Sequence, residues 1–265
     1  MAREWNAVAY EGLSSPQTRW GEEFLGRLEL AGDEDAIDAG CGTGKVTELL
    51  LERLPRGTVL AVDGSRAMAE AAAQRFAGEP RVRVEHRDLL ALEVEEPVDL
   101  VFSTATFHWI KDHPRLFSRL VLALKPGGRL AAQCGGEGNI SRATRATQKV
   151  MARDRFRRFF VGWVDDKNYA GAEETKRRLE AAGFEDVRVW LHEELTRFED
   201  VEELARFITT VVLGGHMQRL PEGERRPFAE AVAGEIVAED GEPLLDYVRL
   251  NMMAVRSGGD LGRDA

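Results

Sequence analysis

The sequence predicts an α/β fold in which a parallel sheet carries helices on both faces, and three observations support that expectation. From about Asp35 to Leu130, short apolar runs alternate with stretches of helical period. Each run is rich in β-branched or small residues and closes on a polar residue or a glycine. The first run opens into the glycine turn DAGCGTG, residues 38–44, followed by leucines at helical spacing.

Taken in order, DAIDAG, TVLAVDG, VRVEHRD, VDLVFST and GRLAAQCG read as five buried strands. Val46, Leu49, Leu50 and Leu54 mark the helix after the first strand, and Ala67, Met68, Ala71 and Ala72 mark the helix after the second. Beyond Gly135 the pattern changes. GGEGNI is a turn, 141–160 reads as a basic helix, and 173–182 as a helix ended by Gly183. VRVWLHEEL is a sixth strand, 200–240 is mostly helical, and LLDYVRLNMMAVR is a final long strand. SGGDLGRDA is expected to fray.

Composition excludes several function classes. With 265 residues, 43% of them hydrophobic, the chain can bury the core of one α/β domain with insertions. No apolar run has the length of a membrane span, and MAREWNAVAY lacks the regions of a signal peptide, so the expected location is cytoplasmic, with no membrane partner. Cys41 and Cys134 form no CxxC pair, and the five histidines form no HExxH, so no metal is expected. The formal net charge of −10 argues against a nucleic-acid partner and for a small molecule, and the local run MARDRFRR at 151–158 reads as a solvated helix face. Oligomeric state is not legible.

The glycine turn departs from two nucleotide motifs. A phosphate loop would need glycine where Ala39 stands and a hydroxyl where Val46 stands. A dinucleotide fingerprint would need a third glycine at Lys45, whereas Gly44 comes one residue early. What remains is a turn whose backbone can approach a ligand closely. Nineteen residues after Gly44, Asp63 ends the second strand, where a carboxylate can accept from both hydroxyls of an unphosphorylated ribose. Asp88, ending the third, can accept from an exocyclic amine such as that of adenine.

DAGCGTG at 38–44, the acidic strand end at Asp63, RDLLAL at 87–92, VDLVFSTATFHWI at 98–110 and LKPGGRL at 124–130 together resemble the successive motifs of class I S-adenosylmethionine-dependent methyltransferases. WNAVAY near the start and FHWIKDHPRLF at 107–117 resemble, more narrowly, the trans-aconitate methyltransferase-like group. The resemblance implies a Rossmann-like, doubly wound, seven-stranded, mostly parallel sheet whose last strand, 244–256, is antiparallel. It also implies an N-terminal helical cap over the cofactor (1–30) and a methyltransferase domain (31–265) with lid insertions near 138–170 and 200–240.

The implied cofactor is S-adenosyl-L-methionine. Gly40 and Gly42 would line its amino-acid end, with Asp38 supporting the ammonium and Arg19, or failing that Tyr10, gripping the carboxylate. Asp63 and Gly64 would hold the ribose, and Met68, Asp88 and Leu89 the adenine, with Thr104 also at the site. His108 is the one candidate general base by position, although a His-Trp pair there can equally pack against the cofactor and fix a loop. Trp109, Trp163, Tyr169, Phe207 and His216 are the candidate acceptor-pocket residues. Ser, Thr, Ala and Thr at 103–106 differ from the motif of DNA amino-methyltransferases, again arguing against DNA. The expected activity is methylation of a small-molecule acceptor, with O-methylation of a carboxylate leading. A carrier-protein or other macromolecular acceptor, a non-enzymatic cofactor-binding protein and an NAD-dependent oxidoreductase are the alternatives.

Overall fold

The computed structural model describes residues 15–259. The chain begins there with α1 (Ser15–Leu25) and continues as β1 (Asp35–Ala39), α2 (Lys45–Arg53), β2 (Thr58–Asp63), α3 (Arg66–Arg75), β3 (Val82–His86) and β4 (Val98–Thr104). It goes on through α4 (His113–Ala123), β5 (Leu124–Gly135), α5 (Ser141–Met151), α6 (Ala172–Ala181) and β6 (Phe184–Arg197). The last elements are α7 (Val201–Val211), α8 (Gly214–Arg219), α9 (Glu222–Asp240) and β7 (Leu244–Arg256).

Seven strands form one sheet in the order β3-β2-β1-β4-β5-β7-β6. β7 runs antiparallel to both its neighbours, and the other strands run parallel to one another. The order reverses between β1 and β4. Such a switch point opens a crevice at the carboxyl ends of the strands, and the glycine turn and residues 105–109 flank it.

Central strands are apolar on both faces because helices cover both. Ile37, Val62, Val101, Leu116, Phe117, Leu120 and Leu179 belong to one buried cluster, and Phe24, Leu50, Leu54, Leu100 and Phe102 to another. The edge strand β6 instead carries exposed charged residues such as Glu185, Arg188, Glu193 and Arg197, which discourages further strand pairing. Local signals start the helices where they fall. Asp112 accepts from the Arg115 amide at 3.0 Å ahead of α4, with Pro114 in its first turn. At α7, Asp200 accepts from the Glu203 amide while Glu203 accepts from the Glu199 amide.

Three expectations need correction. The helix foreseen over 141–160 ends at Met151. Its buried face runs Ala143, Ala146, Thr147, Val150, and continuing the period would bury Asp154 and Arg157 while exposing Phe156 and Phe160; the chain breaks, and both phenylalanines are buried. The strands foreseen at 128–135 and 187–195 start earlier, at Leu124 and Phe184, with register irregularities at Val98/Leu100 and Glu185/Arg188. The basic run lies beyond that helix rather than on its face, yet its charged residues are solvated as expected, with Arg153 pairing to Glu235 and Arg155 to Glu224 at 2.7 Å from exposed positions.

The insertions share a core of their own. Phe156, Phe160, Phe207, Ile208, Met217, Phe228 and Ile236 are buried together with Tyr247 of β7 and Trp20 of α1. Among the described residues, no helix is long and apolar enough to cross a membrane.

Candidate active site

Strand ends and the turn after β1 build the first wall of the crevice. Gly40, Gly42 and Gly44 all have positive φ, and two of them are also sterically fixed. A Cβ on Gly40 would lie 2.1 Å from Thr106 Oγ1, and one on Gly44 would lie 2.6 Å from the Phe76 ring. A Cβ on Gly42 would meet nothing within 4 Å, because this residue faces the open cleft.

Asp63 holds the turn in shape. Its carboxylate accepts the Gly42 amide at 2.9 Å and the Ser65 amide at 2.8 Å. Each carboxylate oxygen has a second lone-pair direction, so the same group can organise the turn and meet ligand hydroxyls. Asp88 caps the turn at Leu89–Ala91 by accepting the Leu90 amide at 3.0 Å. With Gly64, Met68, Leu89 and Thr104 these residues line a cleft of about 410 Å³. Met68 and Leu89 are buried side chains that offer an apolar slot, beside acceptors for hydroxyl and amine donors. That combination fits an adenosine.

Deeper at the switch point, a second hollow of about 50 Å³ is lined by Thr18, Asp38, Gly40, Gly42, Lys45 and Thr104. Asp38 is fully buried, and burial raises its carboxyl to about 7. The bond from Thr47 Oγ1 at 2.6 Å works against that rise, and the Asp63 carboxylate adds to it. A half-charged carboxyl suits an ammonium, while Lys45 offers charge to a carboxylate.

Helix α1 closes this end: a Cβ on Gly21 would stand 2.9 Å from Val46 Cγ2 and 3.5 Å from Thr104 Oγ1. Arg19, expected to grip the ligand carboxylate, is not there. It is exposed and pairs with Glu194 of β6 and with Glu23, because its position on α1 points it along the sheet. Thr18, one residue earlier, faces the hollow instead. Tyr10 lies outside the described residues.

A third hollow, about 40 Å³, adjoins the cleft. Ala105 lines all three spaces, in left-handed backbone (φ 58°) that an alanine adopts at a cost of about 1–2 kcal/mol. His108, Trp109, Asn139, Lys167, Tyr169, Tyr247 and Arg249 form the other walls. The His108 ring stacks on Tyr169 with centroids 5.7 Å apart, and its Nδ1 accepts the Gly135 amide at 3.3 Å. An accepting Nδ1 places the ring's proton on Nε2. His113 anchors the same turn from below through its contact with the Phe107 carbonyl at 3.0 Å.

Gly135 permits this crowding, since a Cβ there would lie 2.7 Å from both Asn139 Nδ2 and Tyr169 Cε1. Lys167 Nζ is matched by both oxygens of Asp165, at 2.9 and 3.0 Å. Of the expected acceptor-pocket residues, Trp109 and Tyr169 are in place. Trp163, Phe207 and His216 are not: Trp163 and His216 meet in a tilted contact with centroids 4.1 Å apart beside Phe160, and Phe207 packs on Phe198, all within the helical core. Aromatic spacing alone could not separate those two destinations.

Among the described residues, no group of three or more metal-ligating side chains is assembled, and Cys41 and Cys134 are buried free thiols. Sequence reasoning missed Thr18, Lys45, Asn139, Lys167 and Arg249. Lys45 had a signal, following the glycine turn directly; Arg249 had none, being one basic residue in a strand.

Comparison with known proteins bears on the fold and the activity. A family model described as a methyltransferase domain matches residues 37–130. The chain is 29% identical over 262 residues to the trans-aconitate 2-methyltransferase of Sinorhizobium medicae, covering 96% of this chain and 99% of that one. Among solved structures, the YcgJ protein from Bacillus subtilis superposes with a TM-score of 0.63 at 12% identity, over 91% of this chain and all of that one. Haemonchus contortus phosphoethanolamine N-methyltransferase 2, solved with S-adenosyl-L-methionine, superposes with a TM-score of 0.58 at 19% identity. That match covers 95% of this chain, which spans little more than half of the Haemonchus enzyme, 56%. At such identities the superpositions speak for the fold alone. Residues 37–130 thus match a methyltransferase domain, and the chain as a whole is similar to the class I S-adenosylmethionine-dependent methyltransferases.

Proposed function

We propose that this enzyme methylates a small carboxylic acid on oxygen, as the name of its relative from Sinorhizobium medicae suggests. The observation that carries the reading is His108. It is a histidine that lines the acceptor hollow, next in the chain to Trp109, and its Nδ1 already accepts a backbone amide. A ring whose Nδ1 is engaged in this way carries its proton on Nε2 and is ill suited to removing one from an acceptor. A carboxylate acceptor is already ionised near neutral pH and needs no base.

The bound cofactor supplies an electrophilic methyl group on a sulfonium. Every other task falls to this chain. Asp63 and Asp88 fix the adenosine, and Asp38, Thr18 and Lys45 hold the amino-acid end. Ala105 and Trp109 form the passage between cleft and hollow, where alignment of acceptor oxygen with methyl carbon decides the rate. Val211 and Val212 of the helical insertion line the hollow and would act as the lid that excludes water.

The test is transfer of labelled methyl to a panel of carboxylic acids, phenols and amines. The expected product is a methyl ester that releases labelled methanol in mild base. Base-stable label on nitrogen or on a phenol would refute the reading.

A further inference from the structure

A buried guanidinium stands at the far end of the acceptor hollow. Arg249 is 3% exposed, on the strand that pairs with β5 in the register Gly135↔Arg249. Among the described residues no carboxylate lies within ion-pair distance of it. Among those residues its Nε has no acceptor, and its side chain makes one hydrogen bond, a long one from Nη2 to Gln133 Oε1 at 3.5 Å. The nearest carboxylate influence is Glu194, which is engaged by Arg19. Uncompensated burial of a charge costs several kcal/mol, so a fold retains one where a ligand completes it.

The surroundings are arranged to orient this group. The Trp20 ring lies under the guanidinium carbon at 4.5 Å, which fixes the plane of the fork. Gln133 Nε2 donates to Asn251 Oδ1 at 2.8 Å, and Asn251 Nδ2 donates to the Arg249 carbonyl at 3.2 Å, so the amide chain turns an oxygen toward the guanidinium. Lys167, the other cation of the hollow, is already matched by Asp165. Among the described residues, Arg249 is thus a charge lining this hollow that has no carboxylate partner.

Placement separates it from the reacting atoms. Thr104 of β4 pairs with Gln133 of β5, and β7 is the next strand, so Arg249 stands about two strand spacings, roughly 10 Å at the backbone, from the passage at Ala105. A guanidinium on the reacting carboxylate itself would hold down its nucleophilic lone pairs. One across the hollow would grip a different carboxylate and aim the first at the methyl group.

Building on the carboxylate reading, we propose that Arg249 is the specificity-determining residue that binds a second, non-reacting carboxylate of the acceptor. Trp20 and Gln133 set the plane of the grip.

Calorimetry on the full-length protein saturated with S-adenosylhomocysteine tests this, with trans-aconitate and crotonate, an unsaturated monocarboxylate, as probes. Trans-aconitate should bind the native protein, and Arg249→Gln should weaken it by roughly 10- to 150-fold, the range for a charged hydrogen-bond partner. Affinity for S-adenosylhomocysteine should not change, and crotonate should bind both proteins equally weakly. Arg249→Lys, which keeps the charge if the glutamine variant does not fold, should lose part of the affinity along with the fork. Native affinity for trans-aconitate in these variants, or a native protein that binds crotonate as well as trans-aconitate, would overturn the proposal. Arg249-dependent binding without ester formation would sink carboxylate methylation and leave the anion site standing. Ester formation with an unchanged KM in Arg249→Gln would do the reverse.

Discussion

The two halves of the crevice are built on different plans. On the cofactor side, residues 38–106 supply nearly everything: a glycine turn, two strand-end carboxylates and backbone amides, each beside its neighbour in sequence. The acceptor side is assembled from 105–109, 139–140, 167–169, 211–212 and 247–249, which only the folded sheet and insertions bring together. A site made of backbone and strand ends leaves a motif. One made of side chains from five segments leaves composition, which many arrangements share.

If that contrast is right, the largest single effect lies in the turn. Gly40→Ala adds left-handed strain to a clash with Thr106 and should cost about 3 kcal/mol or more of cofactor affinity or stability, visible by calorimetry and thermal melting. Gly42→Ala, with open space around it, should cost clearly less; equal losses would mean that close approach is not what Gly40 provides. Asp63→Ala should weaken S-adenosylhomocysteine binding by about 2–3 kcal/mol. Because the carboxylate also holds the Gly42 and Ser65 amides, the turn should loosen as well, with faster amide hydrogen exchange at Gly42. Asp63→Asn should retain part of both.

Asp38 sharpens the same side through pH. Its carboxyl is raised from the usual 3.8 to about 7 in the fold, so between those values the folded protein holds a proton that the unfolded chain has released. Stability from this group is present in full below about pH 4 and falls as pH rises through 7. Relative to Asp38→Asn, the ligand-free protein should therefore lose stability between pH 5 and 8 in denaturant titrations. A constant difference across that range would remove the argument for a poised carboxyl.

On the acceptor side, His108→Gln should lower kcat by no more than about tenfold, whereas loss of a general base costs about 10²–10⁴. The smallest effect belongs to Arg19. As an exposed pair with Glu194 and Glu23, Arg19→Ala should change stability by less than about 1 kcal/mol and leave cofactor affinity alone; a large loss of affinity would restore it to the site.

The legibility of the sequence follows the same divide. Period and strand-end residues located the sheet core, because buried parallel strands read as apolar runs bounded by turn formers. Trp163, Phe207 and His216 misled because an aromatic on an insertion helix serves a core or a pocket with the same spacing, and here Phe160 and Phe228 complete a core around two of them. Arg249 was invisible because its significance lies in what does not surround it, which no linear pattern records.

The most direct measurement of the account is calorimetric titration of the native protein with S-adenosylmethionine, S-adenosylhomocysteine and NADH. The glycine turn with Asp63 at its side predicts that the first two bind and NADH does not. Binding of NADH alone would contradict the assignment of the cleft, and with it everything built on the turn after β1.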